Sequence, residues 1–459
     1  MSRVHLDALR SHLDNAIKGS PFDGKVYFAG GCVRDHLLLR QTNDFDLTVA
    51  LPDGGIALAN YLHQSGLAME PVIYAAFGTA MVYFSPDDSN RYKLELVMTR
   101  RESYRPSSRK PSVEFGTLEE DVIRRDFTVN SLLMTVDDGE ILDLTGKGRD
   151  DLSNGVIRTV SDPKVIFAQD PLRLLRAVRY ATDLGFIIEP ETWDQIGRAA
   201  TSLKEISPER IAEEMNRIIV LDNAVQGLEM LQETGLLRQV LPEVDILAGL
   251  AQNKYHYLDV FEHTLEVVRH CRSDLRLRWA ALLHDLGKEK CLRISAQGTR
   301  QFIGHERTGA SMAAEVLRRF SLPNGTIDLI CRVIKDHMRF KQGGEQGQLI
   351  KDATLRRMIQ SYGIDIYLLL ELIQADNMTH HPDYRLPEQV SRLSQRVENL
   401  TEEMEKHRFS LTGMDIIHEF SIQSSPLVGN LLKLAENEWL ENPYLTREEL
   451  IEIIRENLK

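Results

Sequence analysis

The sequence predicts a small α/β domain followed by an all-α remainder. Four short runs, KVYFAG (25–30), TAMVYF (79–84), KLELVM (93–98) and NSLLMTV (130–136), are rich in Val, Leu, Tyr, Phe or Met and read as strands. Helical runs such as GCVRDHLLL and IALANYLHQSG fall between them. From about residue 165 strand-like runs cease, and helical patterns are punctuated by Pro171, Gly185, Pro208, Gly235, Pro242, Gly304, Pro323 and Gly363. At 459 residues the chain is too long for one core, which stops growing near about 250–300 residues. The expected division is a head at 1–160, a helical neck at 161–250, a body at 251–385 and a helical tail at 386–459.

Composition narrows the class. With 42% hydrophobic and 27% charged residues, the chain has the make-up of a soluble globular protein. No apolar run approaches the roughly 20 residues that span a bilayer, so no membrane partner is expected. Acidic and polar residues interrupt MSRVHLDALRSHLDNAIKG, which is therefore not expected to be a signal peptide. Cys32, Cys271, Cys291 and Cys331 form no CxxC pair, as suits reduced thiols and a cytoplasmic setting. The net charge of −13 argues against general binding of nucleic acid. Yet RRESYRPSSRK carries five basic residues against one acid, so Arg100, Arg101, Arg105, Arg109 and Lys110 are candidate RNA contacts. Arg173, Arg176 and Arg179 add three more cations on one expected helix.

The densest chemistry lies in Gly30, Gly31, Cys32, Val33, Arg34 and Asp35, followed by Asp44-Phe45-Asp46. A strand entering Gly-Gly and then a helix lets backbone approach phosphate oxygens, and Arg34 can add a charge-assisted contact. On an extended segment Asp44 and Asp46 face the same way. Two such carboxylates repel unless a cation sits between them, and hard Mg²⁺ with oxygen ligands meets that need. Glu95 is a candidate third carboxylate. Such sites serve two-metal phosphoryl transfer.

The joint pattern, strand, GG-x-V-R-D, about eight residues, DxD, strand, resembles the signature of the polymerase β superfamily. Within it, the resemblance is to the class II tRNA nucleotidyltransferase and bacterial poly(A) polymerase family. Three further blocks strengthen it. RRDFTVN (124–130) looks like the block implied to recognise ribose and nucleotide, with Arg125, Asp126 and Asn130 as candidates; Asp126 and Asn130 can both bond a 2′-hydroxyl. Asp170-Pro-Leu-Arg173 resembles the EDxxR block that selects the base. Cytosine and adenine both present an acceptor nitrogen beside a donor amino group, so an Arg that donates and an Asp that accepts match both. Asp170 and Arg173, three apart on an expected helix, would share a face; Arg176 and Arg179 follow as candidate nucleotide contacts. The family's Glu is Gln169 here, and a neutral Gln holds Arg173 less firmly than a carboxylate would. SPERIAEEM (207–215) resembles the last block, with Ser207 as N-cap and Pro208 at N1, an expected structural role.

Residues 251–380 carry a second constellation: His263, the adjacent His284 and Asp285, His305, His337 and Asp376. This resembles HD-family phosphohydrolases, and mixed imidazole and carboxylate shells suit Mn, Ni, Co or Fe. His256, His380 and His381 have no such pattern and stay unassigned. Near the end, Thr446 and Glu449 form an expected capping box, with Leu445 and Leu450 as a staple and Leu450, Ile451, Ile454 and Leu458 on one face.

The resemblance implies template-independent addition of CCA to the tRNA 3′ end from CTP and ATP, with pyrophosphate released. It implies Mg²⁺ in the head and possible 2′,3′-cyclic phosphodiesterase or phosphatase activity in the HD domain. The basic segment from Arg100 to Glu114 favours adding both C and A, and the Glu-rich C-terminus disfavours a poly(A) polymerase. The alternatives are A-only addition, poly(A) synthesis, an HD phosphohydrolase with a nucleotide-sensing head, and a non-catalytic RNA-binding module.

Overall fold

The computed structural model describes residues 6–75, 78–103, 112–253, 255–340, 350–386 and 388–458. Arg105, Arg109 and Lys110 of the basic strip lie outside the described residues. The chain divides into two compact units, Met1–Val240 and Leu241–Lys459.

In the first unit the strands are β1 (Val26–Ala29), β2 (Phe45–Val49), β3 (Val72–Tyr74), β4 (Thr79–Phe84), β5 (Tyr92–Met98), β6 (Arg100–Ser103), β7 (Ser112–Phe115), β8 (Leu133–Thr135) and β9 (Ile141–Leu142). Seven of them form a mixed sheet in the order β3-β4-β5-β2-β1-β8-β9. Within it β2 runs parallel to β5 and the other neighbours are antiparallel. β6 and β7 make a separate hairpin, pairing Arg101 with Glu114.

All four expected strands are present. β2 and β5 build the site because their two faces differ. Phe45, Leu47 and Val49 on β2, and Tyr92, Leu94 and Leu96 on β5, are buried on one face. Phe45 meets Tyr92 edge-on at 6.1 Å. Burying side chains of this size stabilises the unit by about 1.5–3 kcal/mol each. Alternation then sends Asp46, Lys93 and Glu95 to the opposite face.

After the sheet come the helices Pro163–Gln169, Arg173–Leu184, Pro190–Ala199, Pro208–Ile219 and Ala224–Glu233. Strand structure does not end at residue 165. A two-residue parallel pair joins β10 (Val156–Ile157) to β11 (Ile187–Ile188), and the second unit has a short hairpin, β12 (Arg293–Ile294) with β13 (Arg300–Gln301). Elements this short leave no period to read in a sequence.

The second unit is otherwise helical. Val260–His270, Leu275–Leu283, His305–Arg319, Asn324–Asp336 and Ile366–Met378 are its main HD-region helices, with Trp279 fully buried. The helix Arg447–Asn457 opens on the expected capping box: the Glu449 N–H donates to Thr446 Oγ1 at 3.3 Å, and the Thr446 N–H to Glu449 Oε2 at 2.8 Å. Leu450 and Ile454 are buried beside Trp439. Leu458 is 41% exposed, so the expected apolar face stops at Ile454. No helix among the described residues is long and apolar enough to cross a membrane.

Candidate active site of the head and candidate metal centre of the HD region

Gly30 turns β1 into the helix Gly31–Leu37 with φ 73° and ψ −132°, a conformation that side chains resist. A Cβ there would point at Arg125 Nη1 (3.5 Å) and Asp46 Oδ2 (3.9 Å), so the turn lays bare backbone against the site. The cavity beside it, about 330 Å³, is lined by Gly30, Gly31, Asp46, Arg125, Asp126 and Asn130 on the sheet side. Asp170, Arg173, Arg176, Tyr180 and Arg210 line its helical side.

The expected carboxylates are placed differently. Strand register sets Asp46 directly opposite Glu95. Asp44 projects to solvent with its side chain 83% exposed. Asp46 keeps an edge open to water, but protein crowds its other sides. That dehydration, then the charge of Glu95, pushes its carboxyl up to about 6, against the pull of Arg125. Lys93, absent from the sequence reading, puts Nζ 2.9 Å from Glu95 and 3.7 Å from Asp44. Three carboxylates sharing one lysine are short of positive charge, and all-oxygen donors fit a hard divalent ion.

RRDFTVN is held by a network. Asp121 accepts from Arg124 at 2.6 Å and Arg125 at 2.8 Å, and both arginines line the cavity. Burial opposes the charge of Asp121, yet Arg125 and Arg124 outweigh it and hold the carboxyl below its usual range. Asp126 accepts two bonds from Arg176, at 2.9 and 2.6 Å, and one from Asn130 at 3.3 Å.

Three expectations need correcting. Arg34 does not line the cavity: it is buried, and it donates to Asp35 at 2.9 Å and to Asn130 Oδ1 at 2.6 Å. Arg179 is likewise buried, pairs with Glu214 and lies off the cavity. Asp170 and Arg173 do not share a helix face. One helix ends at Gln169, the next starts at Arg173, and Asp170 is extended in the break (φ −146°, ψ 100°). Pro171 enforces that break, since the residue before a proline avoids the helical region. Arg173 donates to Gln169 Oε1 (3.1 Å), the Ile166 carbonyl (3.2 Å) and the Arg124 carbonyl (2.6 Å). The expected neutral bond to Gln169 is there.

Tyr180 and Arg210 were not foreseen. Tyr180 has the guanidinium carbons of Arg179, Arg34 and Arg176 at 4.1, 5.1 and 5.3 Å from its ring centre, all within cation–π range. Ser207 is the N-cap of Pro208–Ile219 without a side-chain bond, so that block does more than start a helix: its Arg210 holds Asp170. Asp121 was not singled out either; its spacing three and four residues before Arg124 and Arg125 is the signal that could have found it. On the hairpin, Arg100 and Arg101 lie on β6, and Arg101 is exposed and bound to Glu114 at 2.8 Å.

In the second unit all six expected residues converge. His263, His284, Asp285, His305, His337 and Asp376 are each 5% exposed or less. His263 Nε2 is 3.3 Å from Asp376 and 3.5 Å from Asp285; His284 and His305 lie 3.1 and 3.4 Å from Asp285. The Nδ1 atoms of His284, His305 and His337 face the carbonyls of Ala281, Phe302 and Ile334 at 2.8, 2.8 and 2.6 Å. His263 Nδ1 meets Thr379 Oγ1 at 3.0 Å. Nδ1 is thereby the donor to those carbonyls, and in the neutral ring Nε2 presents a lone pair; for His263, His284 and His305 that Nε2 makes no well-formed hydrogen bond. This is how imidazoles are prepared for a metal, and His263–His284–Asp376 and His284–Asp285–His337 each have ligand atoms close enough to share one.

Burial lowers His263 below the ordinary imidazole value. Burial also opposes charge on His284 and Asp285, but their mutual attraction wins: His284 is raised and Asp285 lies well below the carboxylate range, helped by Lys288. Lys288 Nζ is 2.6 Å from Asp285 and 2.6 Å from Gln252. Gly287 is needed for contact: a Cβ would lie 2.2 Å from the His305 carbonyl. His256 and His380, unassigned from sequence, have ring centres 4.7 and 6.4 Å from His263. A cavity of about 1070 Å³ opens beside the cluster, with Arg300, Arg307, Lys335 and Arg339 on its wall.

Comparison with known proteins follows the same division. Residues 26–158 match the poly A polymerase head domain, 185–247 the probable RNA and SrmB-binding site of polymerase A, and 256–373 the HD domain. The A-adding tRNA nucleotidyltransferase of Deinococcus radiodurans is 38% identical over 69% of this chain and 70% of its own length. The chain belongs to the tRNA nucleotidyltransferase and poly(A) polymerase family. A multifunctional CCA protein of Pseudomonas fluorescens is 32% identical over 75% of this chain and 80% of its own. In fold, the family's CCA-adding enzyme from Bacillus stearothermophilus, solved with CTP, aligns over 99% of this chain and 98% of that one. The TM-score is 0.67 at 23% identity. The Thermotoga maritima CCA-adding enzyme with tRNA gives 0.61 at 18% identity, over 100% of this chain and 97% of that one.

Proposed function

We propose that the chain adds C, C and A to the 3′ end of tRNA, taking CTP and ATP and releasing pyrophosphate. One observation carries this: a single cavity of the first unit joins a carboxylate of the Asp46–Glu95 pair, the arginines of RRDFTVN, and the Asp170 and Arg173 suited to cytosine and adenine. Asp44, Asp46 and Glu95 would hold Mg²⁺, which supplies an activated attacking hydroxyl and a steadied leaving group. Gly30, Gly31 and Arg125 face the phosphates, Asp126 and Asn130 the ribose, and Asp170 and Arg173 the base. Arg34, Arg176 and Arg179 hold these groups in place. Arg100 and Arg101, with Arg105, Arg109 and Lys110, are assigned to RNA.

A second reading, addition of A alone, is favoured by the 38% identity to the A-adding relative. The test supplies purified protein, Mg²⁺ and labelled CTP, ATP, GTP or UTP to tRNA transcripts ending at the discriminator base, at C or at CC. Two C additions followed by one A support CCA addition. A added to the CC transcript alone selects the second reading, and an unbounded A ladder overturns both.

For the HD region we propose a phosphohydrolase with a resident Mn, Ni, Co or Fe ion held by His263, His284, Asp285, His305, His337 and Asp376. Inactivity of Mn²⁺- or Ni²⁺-loaded protein on 2′,3′-cyclic nucleotides and on p-nitrophenyl phosphate esters would refute it. A head at 1–160, neck at 161–250, HD body at 251–385 and tail at 386–459, working in the cytoplasm, complete the reading. The intact Asp44 and Asp46 weigh against a purely sensing head and against a non-catalytic RNA-binding module.

A further inference from the structure

We infer that Arg210 is a positioning residue for base selection, acting by fixing the carboxylate of Asp170. The inference rests on the proposed reading of Asp170 and Arg173 as the pair that meets the base.

Asp170 lies in the break between two helices, so no helical backbone ladder fixes it. Two contacts set its side chain. Oδ1 accepts from the Leu172 N–H at 3.2 Å, and Oδ2 accepts from Arg210 Nη2 at 2.8 Å. Arg210 comes from the first turn of Pro208–Ile219, forty residues away in sequence, and it lines the same cavity as Asp170 and Arg173.

The two halves of the pair are therefore held in different ways. Arg173 is held by three uncharged oxygens, from Gln169, Ile166 and Arg124. Asp170 is held by a cation. With Gln169 where the family has Glu, the charged contact to this selecting pair falls on its acceptor half. A half-exposed ion pair adds little to stability, about 0–1 kcal/mol. Its effect is on direction: an acceptor aimed wrongly no longer distinguishes the amino group of C or A from the carbonyl of U or G.

The test compares kcat/KM for CTP, ATP, UTP and GTP in the full-length wild-type protein and in Arg210→Ala, Arg210→Lys, Asp170→Ala and the double variant Asp170→Ala/Arg210→Ala. Arg210→Ala should lower the ratio of correct to incorrect nucleotide by roughly tenfold, through loss of C and A incorporation with U and G unchanged. Arg210→Lys, keeping a donor, should restore most of the ratio. The double variant should be no less selective than Asp170→Ala, because the two residues act as one unit. An equal fall for all four nucleotides in Arg210→Ala would mean a merely structural residue and overturn the inference. If Asp170→Ala loses selectivity while Arg210→Ala keeps it, the role of Arg210 fails alone. If Asp170→Ala itself stays selective, the base-reading premise fails and the inference with it.

Discussion

Asp46 and Glu95 stand directly opposite one another across the parallel strands β2 and β5. Their residues are far apart in the chain, yet strand register makes them neighbours on the face away from the core. Two carboxylates so placed, with Lys93 on Glu95 alone, suit the divalent cation proposed for them. Replacing Asp46 with Asn should lower kcat for nucleotide incorporation on the order of 10³-fold, and Glu95→Gln by about 10–100-fold. The dissociation constant for tRNA should move by less than about threefold. Wild-type turnover by Asp46→Asn at saturating Mg²⁺ would remove Asp46 from the chemistry.

The raised carboxyl of Asp46 gives a pH signature. Near its value of about 6 the metal-free group takes up a proton as pH falls. Ligation needs the carboxylate, so protons and Mg²⁺ compete below pH 6 and not above it. The Mg²⁺ concentration for half-maximal incorporation should rise about tenfold per pH unit below 6 and stay level from 7 to 8. A level response across pH 5–8 would contradict this.

Asp121 makes a stability prediction. Its folded carboxyl lies below its ordinary value because Arg125 and Arg124 outweigh burial. A depressed acid stabilises fully above its unfolded value, near about 4, and loses that stabilisation as pH falls through its lower folded value. Asp121→Asn leaves two arginines without their shared anion and should cost about 3 kcal/mol at pH 7. Urea unfolding should show the gap between wild type and variant narrowing below pH 4. A gap that widens on acidification would reverse the sign and refute the pairing.

In the HD region, His284→Ala should abolish hydrolysis of p-nitrophenyl phosphate esters and lower bound metal measured by elemental analysis. Nucleotide incorporation should stay within about twofold of wild type, since none of the residues proposed for that step belongs to this cluster. Unchanged metal content in the variant would rule out the assigned ligand set.

Gln169→Glu would set a carboxylate beside Arg173, where Gln169 Oε1 now accepts at 3.1 Å. Charge-assisted bonds are roughly twice as strong as neutral ones. Discrimination of C and A against U and G should rise by about two- to fivefold. A fall in discrimination would show that the neutral contact is the better match here.

The candidate ligand residues of both sites could be singled out in the sequence from local pairs and from the family pattern they resemble. Asp44 and Asp46 sit at strand period, and His284 and Asp285 are adjacent at a helix end. What was not legible is which side chains those groups engage. Arg34 was expected at phosphate and Arg176 and Arg179 at the nucleotide, and the fold turns Arg34 to Asn130, Arg176 to Asp126 and Arg179 to Glu214. Partners as distant as Arg34 and Asn130 leave no local pattern. The helix break at Asp170 was signalled by Pro171 but masked by the apolar run after it. Strands β3 and β9 are too short to show alternation.

Lys93 carries one more consequence. Its ammonium rests between Glu95 and Asp44, an internal stand-in for the ion proposed to bind those acids. A head stripped by chelator therefore keeps part of the charge compensation these acids need and should remain folded. Metal exchange then resembles changing a tool in a handle that keeps its grip, and activity should return on adding Mg²⁺ without any refolding step.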